Sequence, residues 1–256
     1  MRVRVPPSVF FKTMKFGLIG KSLKHSFSKN YFDSKFSTLN LNHSYHLFEL
    51  ISIDQISSLL LDDELVGLNV TVPYKSEVLE YVDELSPEVK TIGAANVLVK
   101  NQNQWIAHNT DVIGFEKSIF HFIPNLTNQK VLVIGNGGSA KAVTFILKKH
   151  NIMHVIIARN PKNSSEIPFS QFSQWACDCK VWINTTPVGM YPNDHESLDI
   201  DFDLLSENHY LYDLIYNPEV TNFLKEGIKR GAKIRNGLEM LYLQAEGAWE
   251  IWSSVL

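Results

Sequence analysis

Apolar residues along this chain form short runs, and helix-spaced stretches separate most of them. Such runs, rich in valine and isoleucine and bounded by turn residues, are typical of buried strands. We predict strands at Phe16–Ile19, Tyr45–Glu49, Leu65–Val72, within Gly93–Val99 with a hairpin partner at Trp105–Ala107, and at Val131–Ile134, His154–Ala158, Val181–Asn184, Tyr210–Leu214 and Lys233–Arg235.

The stretches between the strands have the spacing of amphipathic helices. Helices are predicted at Lys29–Ser37, Asp54–Leu61, Ser76–Leu85, Val112–Ile119, Ala140–Lys149 and Thr221–Arg230, with a closing helix that starts at Gly237. Alternation of strands and helices predicts an α/β fold. With 256 residues, 45% of them hydrophobic, two compact lobes fit the pattern better than one core.

The run Val131–Ile134 ends in the turn GNGGSAKA, which leads into a predicted helix. In this pattern Gly135 permits a tight turn, and Gly137 lets backbone N–H groups approach a pyrophosphate at the helix N-terminus. The small Ala140 lets helix and strand pack closely. A turn without a ligand is the alternative. The next strand follows where a dinucleotide-binding fold requires it, which favours a cofactor site.

The end of that next strand indicates which nucleotide is bound. An acidic residue about twenty positions after the glycines would bind an NAD ribose. Here His154–Ala158 runs instead into Arg159, whose guanidinium suits a 2′-phosphate. The cofactor is therefore predicted to be NADP, while a solvated surface charge is the plainer interpretation of Arg159.

Composition narrows the class of protein. The formal net charge of −3 and the scattered basic residues give no footprint for nucleic acid. Cys177 and Cys179 read as free thiols of a cytoplasmic protein without a metal site, and no apolar run is long enough to cross a bilayer. Met1–Thr13 does not read as a secretory signal, and we expect an upstream start or a disordered tail.

Polar residues at strand ends are candidates for substrate binding. Ser26 and Ser28 precede a helix and could hold a carboxylate, although Ser28 could equally be an N-cap. Lys75 follows the strand Leu65–Val72 and could act as a general acid or base, although a surface lysine would look the same. Asp111 could be its carboxylate partner or the N-cap of the next helix.

Taken together, the motifs resemble the shikimate dehydrogenase family over Met14–Trp252. The motifs are HSFS (His25–Ser28), NVTVPYK (Asn69–Lys75), GAANV (Gly93–Val97), NTDVIGF (Asn109–Phe115), GNGGSAKA (Gly135–Ala142), NTTPVGM (Asn184–Met190), YDLIYNP (Tyr212–Pro218) and GLEMLYLQA (Gly237–Ala245). The chain departs from the usual family pattern at Lys29, where proline is common, and at Asn163, where a second basic residue is common.

The resemblance implies NADPH-dependent reduction of 3-dehydroshikimate to shikimate, with Lys75 and Asp111 as the catalytic pair. The implied substrate-binding residues are Ser26, Ser28, Thr71, Asn96, Tyr216 and Gln244. The implied cofactor-binding residues are Gly135, Asn136, Gly137, Gly138, Ser139, Arg159, Leu214, Gly237 and Met240.

The implied architecture is an N-terminal α/β substrate domain, residues 14–110 plus 236–256, and a Rossmann-like NADP-binding domain, residues 111–235. The C-terminal helix would return to the first domain, and the protein would be a monomer or homodimer. Three alternatives remain open. They are a quinate/shikimate dehydrogenase that uses NAD, a non-catalytic metabolite sensor on the same fold, and a folate-linked dehydrogenase of similar architecture.

Overall fold

A computed structural model describes residues 13–23 and 26–256, and the chain divides into two compact units. The first unit comprises residues up to Ser86, Ala95–His108 and Ile251–Leu256. The second comprises Pro87–Ala94 and Asn109–Glu250. Apart from Thr13, the expected N-terminal segment lies outside the described residues. The predicted domain limits differ from this division, mainly for the C-terminal helix, and they stay a prediction.

The first unit is a mixed sheet with helices. Its strands are β1 (Lys15–Gly20), β2 (Ser44–Glu49), β3 (Leu65–Val70), β4 (Glu84–Leu85), β5 (Val97–Asn101) and β6 (Gln104–His108). They lie in the order β2-β1-β3-β5-β6-β4, and β5 and β6 form the predicted antiparallel hairpin. Helices α1 (Phe27–Thr38) and α2 (Ile56–Leu60) belong to this unit, with a 3₁₀ turn at Ile53–Gln55 before α2.

An aromatic cluster forms the core of the first unit. The Trp252 ring lies 4.9 Å from Phe16 and 5.0 Å from Phe32, measured between ring centroids. Its indole N–H donates to the Leu98 carbonyl over 3.0 Å, so the buried polar atom is satisfied. A Cβ at Gly67 would lie 2.5 Å from Trp252 Nε1, and glycine therefore makes room for the indole.

The second unit is a parallel sheet covered by helices. Its strands are β7 (Val131–Ile134), β8 (His154–Ala158), β9 (Glu166–Pro168), β10 (Val181–Asn184), β11 (Tyr210–Asp213) and β12 (Lys233–Arg235). Its helices are α3 (Pro87–Ile92), α4 (Asp111–Phe122), α5 (Gly138–Lys149), α6 (Phe172–Ala176), α7 (Asn222–Lys229) and α8 (Leu238–Ser253), of which the last residues belong to the first unit.

The strands of this second sheet lie in the order β12-β11-β10-β7-β8-β9. From β7 the chain moves to β8 on one side and later returns to β10 on the other side. The sheet therefore has a switch point between β7 and β10, and α/β sheets bind ligands outside the carboxyl ends of strands at such points. The α/β prediction is confirmed.

One predicted helix is wrong. Instead of a helix over Ser76–Leu85, the chain forms a 3₁₀ turn at Glu77–Tyr81 and then enters β4. Backbone bonds to the neighbouring hairpin explain the difference, because Asp83 N donates to Trp105 O over 2.9 Å and Ser86 N to Ala107 O over 3.0 Å. Pairing with another strand outweighs a weak local preference for helix.

Candidate active site

The carboxyl edge of β3 brings together three of the predicted substrate-side residues. Thr71 follows the strand, and its N–H donates to Ile19 O at the end of β1 over 2.9 Å. Asn96, just before β5, accepts from Val70 N over 2.9 Å through its carbonyl. The carbonyl of Lys75 accepts from Ala95 N over 2.7 Å. The backbones of these three residues are therefore connected around the end of this strand, and the roles of their side chains stay predictions.

The two serines lie at the start of α1. Ser26 is the N-cap residue, so the alternative in which Ser28 caps this helix is wrong. Ser28 instead hydrogen-bonds to the Tyr45 hydroxyl, which donates to Asn69 Oδ1 over 2.7 Å. Burial raises the pKa of Tyr45 well above its ordinary value, so the phenol stays protonated. This buried tyrosine, which the motifs did not single out, fixes Ser28 relative to β3.

Lys29, one of the two departures from the family pattern, also ties α1 to β2. Its ammonium donates to the Tyr45 carbonyl over 2.9 Å and to Asp33 over 2.7 Å. Lys29 therefore holds the start of α1 against β2, close to the two serines.

In the second unit, Asp111 is the first residue of α4, and Thr110 is the N-cap residue. The N-cap interpretation of Asp111 is therefore wrong. Asp111 is 7% exposed, and its N–H donates to Asn109 Oδ1 over 3.1 Å. The preceding residue contacts Gln244 of α8, because the Thr110 hydroxyl donates to Gln244 Oε1 over 3.5 Å. The chain packs closely here, and a Cβ at Gly114 would lie 3.1 Å from the Gln244 Cβ.

The glycine turn follows β7 as predicted. Gly135 has a φ of +110°, and a Cβ there would lie 2.6 Å from Thr185 Oγ1, so both backbone and packing demand glycine. At Gly137 and Gly138 a Cβ would meet no protein atom within 4 Å. Protein packing therefore does not explain these two glycines. An open helix N-terminus of this kind fits a pyrophosphate, together with Asn136 and Ser139 of the same turn.

The remaining predicted cofactor residues lie where β11 ends and α8 begins. Gly237 N donates to Ile215 O over 3.0 Å, and a side chain at Gly237 would collide with the Leu214 carbonyl. Met240 follows one turn later and is buried. Tyr216 is 36% exposed, and partial burial raises the pKa of its phenol. The backbones of Leu214, Ile215 and Gly237 are therefore in contact, and the predicted substrate residue Tyr216 follows directly after them in the chain.

A buried carboxylate that was not predicted supports this stretch. Asp213 ends β11 and is fully buried, and it accepts from Asn184 Nδ2 over 3.0 Å, from Ile215 N over 3.0 Å and from Thr221 Oγ1 over 2.6 Å. Burial raises its pKa to about 6 despite these bonds. Asp213 therefore fixes the backbone that carries Leu214 and Tyr216. No rule of spacing distinguishes it from any aspartate at a strand end.

Arg159 lies directly after β8 and is exposed. Exposure is expected both for a residue that binds a 2′-phosphate and for a solvated surface charge. The structure also places an acid in this corner, which the spacing rule had not found. Glu166 begins β9, which pairs in parallel with β8. Its carboxylate contacts the glycine turn, because Asn136 Nδ2 donates to Glu166 Oε2 over 2.6 Å.

The described residues contain no group of histidine, cysteine and acidic side chains that could hold a metal ion. In the part of the chain that the structure describes, no helix has both the length and the apolar character needed to cross a bilayer.

A parallel sheet with a glycine turn at its switch point, accompanied by a second α/β unit, defines a nucleotide-binding class of protein. The family model for the shikimate dehydrogenase substrate binding domain matches residues 18–98. A shikimate dehydrogenase (NADP(+)) of Caldicellulosiruptor bescii is 36% identical over 94% of this chain and 90% of that protein. The chain belongs to the shikimate dehydrogenase family.

Solved structures agree. A shikimate dehydrogenase crystallised in complex with NADP+ matches with a TM-score of 0.83 and 32% identity, over 95% of this chain and 91% of that chain. The enzyme of Thermus thermophilus, crystallised with NADP(H) and shikimate, matches with a TM-score of 0.83 and 26% identity, over 95% of both chains. The likeness extends over both units of this chain.

Proposed function

We propose that this chain catalyses the reversible, NADPH-dependent reduction of 3-dehydroshikimate to shikimate in the cytoplasm. The observation that carries the proposal is the cluster at the carboxyl edge of β3, where Thr71, Lys75 and Asn96 lie together. A relative named shikimate dehydrogenase (NADP(+)) is similar over nearly the whole length of this chain. NADPH, when bound, supplies the hydride.

Lys75 is the proposed proton donor. As the ring ketone is reduced, negative charge grows on its oxygen, and the ammonium of Lys75 stabilises this charge and donates the proton. Asp111 accepts a hydrogen bond from a substrate hydroxyl, which a buried carboxylate does well. Ser26 and Ser28 donate to the substrate carboxylate, and Tyr45 keeps Ser28 in position for that contact.

The other proposed substrate contacts are neutral polar groups. Thr71 and Asn96 offer a hydroxyl and an amide at the edge of β3, and Gln244 and Tyr216 offer an amide and a phenol. These groups match the hydroxyls of a small polyol acid. On the cofactor side, the N–H groups of the glycine turn would hold the pyrophosphate, Arg159 the 2′-phosphate, and Leu214, Gly237 and Met240 the nicotinamide end.

The test is initial-rate spectrophotometry of the purified chain, in which shikimate and quinate are each combined with NADP+ and with NAD+. We expect fast reduction with shikimate and NADP+ alone. Comparable rates with quinate or NAD+ would favour the quinate/shikimate alternative. Cofactor binding without any turnover would favour a sensor.

A variant tests the role of Lys75. We expect Lys75→Ala to lower kcat by roughly 10²-fold or more while the Kd for NADP+ stays within about twofold, because the lost group acts in the transition state. Lys90→Ala is the control, since Lys90 is an exposed lysine on α3. Near-normal turnover of Lys75→Ala would remove Lys75 from the mechanism.

Sedimentation of the purified chain would decide between monomer and homodimer.

A further inference from the structure

Glu166 is the centre of a hydrogen-bonded group at the nucleotide corner. Its Oε2 accepts from Asn136 Nδ2 over 2.6 Å and from the Lys162 backbone N–H over 2.8 Å, and its Oε1 accepts from Asn163 Nδ2 over 3.0 Å. The glycine turn and the segment after Arg159 are therefore tied to one carboxylate. This group lies entirely within the second unit.

Further bonds close the same corner. Asn136 Nδ2 also donates to Asn160 O over 3.0 Å, and Lys162 Nζ donates to Asn136 O over 3.3 Å. The backbone from Arg159 to Asn163 is thereby held against the glycine turn. A proposed 2′-phosphate site at Arg159 would be built on backbone that Glu166 orders.

The carboxylate is charged at neutral pH. Partial burial favours its neutral form, but the bonds from Asn136, Lys162 and Asn163 outweigh burial and lower the pKa of Glu166 below its ordinary value. A 2′-phosphate carries a charge of about −1.5 to −2. Two negative groups in one corner repel each other, and the neighbouring cations compensate only in part.

We propose that Glu166 is a specificity-determining residue of this chain, which orders the nucleotide corner through its hydrogen bonds and lowers the preference for NADP over NAD through its charge. The inference rests on the proposed nucleotide-dependent function. It differs from the role of an acid that binds an NAD ribose, because both oxygens of Glu166 already accept bonds from the protein. The family commonly has a second basic residue where this chain has Asn163. The hydrogen bond from Asn163 to Glu166 explains how the corner keeps its shape without that basic residue.

The two effects of Glu166 separate in two variants. Glu166→Gln removes the charge and keeps an oxygen for Asn136 and Lys162, whereas Glu166→Ala removes both. We expect Glu166→Gln to tighten NADP+ binding by roughly 3- to 10-fold and to leave NAD+ binding unchanged. The gain should shrink in 1 M salt, where the Debye length is about 3 Å. Glu166→Ala should weaken NAD+ binding, because the glycine turn loses its anchor.

The measurement is the Kd of the whole chain for NADP+ and NAD+ by titration calorimetry, with adenosine 2′,5′-bisphosphate as a probe of the corner alone. Glu207→Gln is the control, because Glu207 is exposed and precedes β11, which lies three strands away from β8 in the sheet. An unchanged NADP+/NAD+ ratio in Glu166→Gln, or equal weakening of both, would overturn this inference alone. Failure of the wild type to bind either cofactor would overturn the proposed function as well.

Discussion

Asp213→Asn should stabilise the protein at neutral pH, although it removes a buried and fully hydrogen-bonded carboxylate. The side chain is completely buried and accepts from Asn184, Ile215 and Thr221. An asparagine oxygen can still accept from Asn184 and Ile215, and the Thr221 hydroxyl can turn to accept from the amide. The substitution therefore keeps the shape and removes the cost of burying a charge.

The magnitude follows from the pKa. Burial raises the pKa of Asp213 from 3.8 to about 6. A difference of about two pKa units corresponds to ~3 kcal/mol, which is an upper estimate. Because the folded protein binds the proton more tightly than the unfolded chain, this group favours folding most below pH 4. That contribution is lost as the pH rises to about 6, and it is absent at higher pH.

Other carboxylates act in the opposite direction, so the observable is the difference between two variants. Hydrogen bonds from Lys229 and Arg230, for example, lower the pKa of Glu226, and such groups favour folding as the pH rises. When the free energy of unfolding of wild type is subtracted from that of Asp213→Asn at each pH, the contributions of these other carboxylates cancel. The assay is urea unfolding of both proteins between pH 4 and pH 8.

We expect the free energy of unfolding of Asp213→Asn, relative to wild type, to rise by ~1–3 kcal/mol between pH 4 and pH 7 and then to stay level. Asp199→Asn, which changes an exposed aspartate, should show a difference near zero throughout. A pH-independent difference for Asp213→Asn would refute the reasoning. It would mean that the three donors stabilise the ionised form as much as burial opposes it.

Two further substitutions test the first unit. Gly67→Ala should lower the free energy of unfolding by ~1–3 kcal/mol in urea, because its Cβ would overlap the Trp252 indole; an unchanged value would show that the indole shifts freely. Tyr45→Phe removes the hydroxyl that contacts Ser28 and Asn69, and we expect the KM for shikimate to rise by roughly 3- to 10-fold at little cost in kcat. Loss of kcat with an unchanged KM would contradict this positioning role.

Short, mainly apolar strands inside the second sheet were predicted best. The limits of β7, β8 and β10 agree with the sequence prediction, because burial leaves such runs one conformation. The limits of β12 also agree, although this strand lies at an edge of the sheet and is only partly buried. Prediction failed at two other short edge strands, β4 and β9. The residues of β4 and β9 form strands because β6 and β8 offer backbone groups for pairing. The local sequence does not indicate that such a neighbouring strand is present.

The same limit separates the predicted site residues from the ones that were missed. Lys75, Asp111 and the glycine turn were found because each follows a strand end that its own sequence marks. Glu166 lies seven positions beyond Arg159, and only the unpredicted pairing of β9 with β8 brings its carboxylate to the glycine turn. The spacing rule, which looks for an acid about twenty residues after the glycines, considers only the end of β8. In a parallel sheet, the acids that influence a bound nucleotide also include those on the next strand outward, so the charge at this corner depends on the order of the strands.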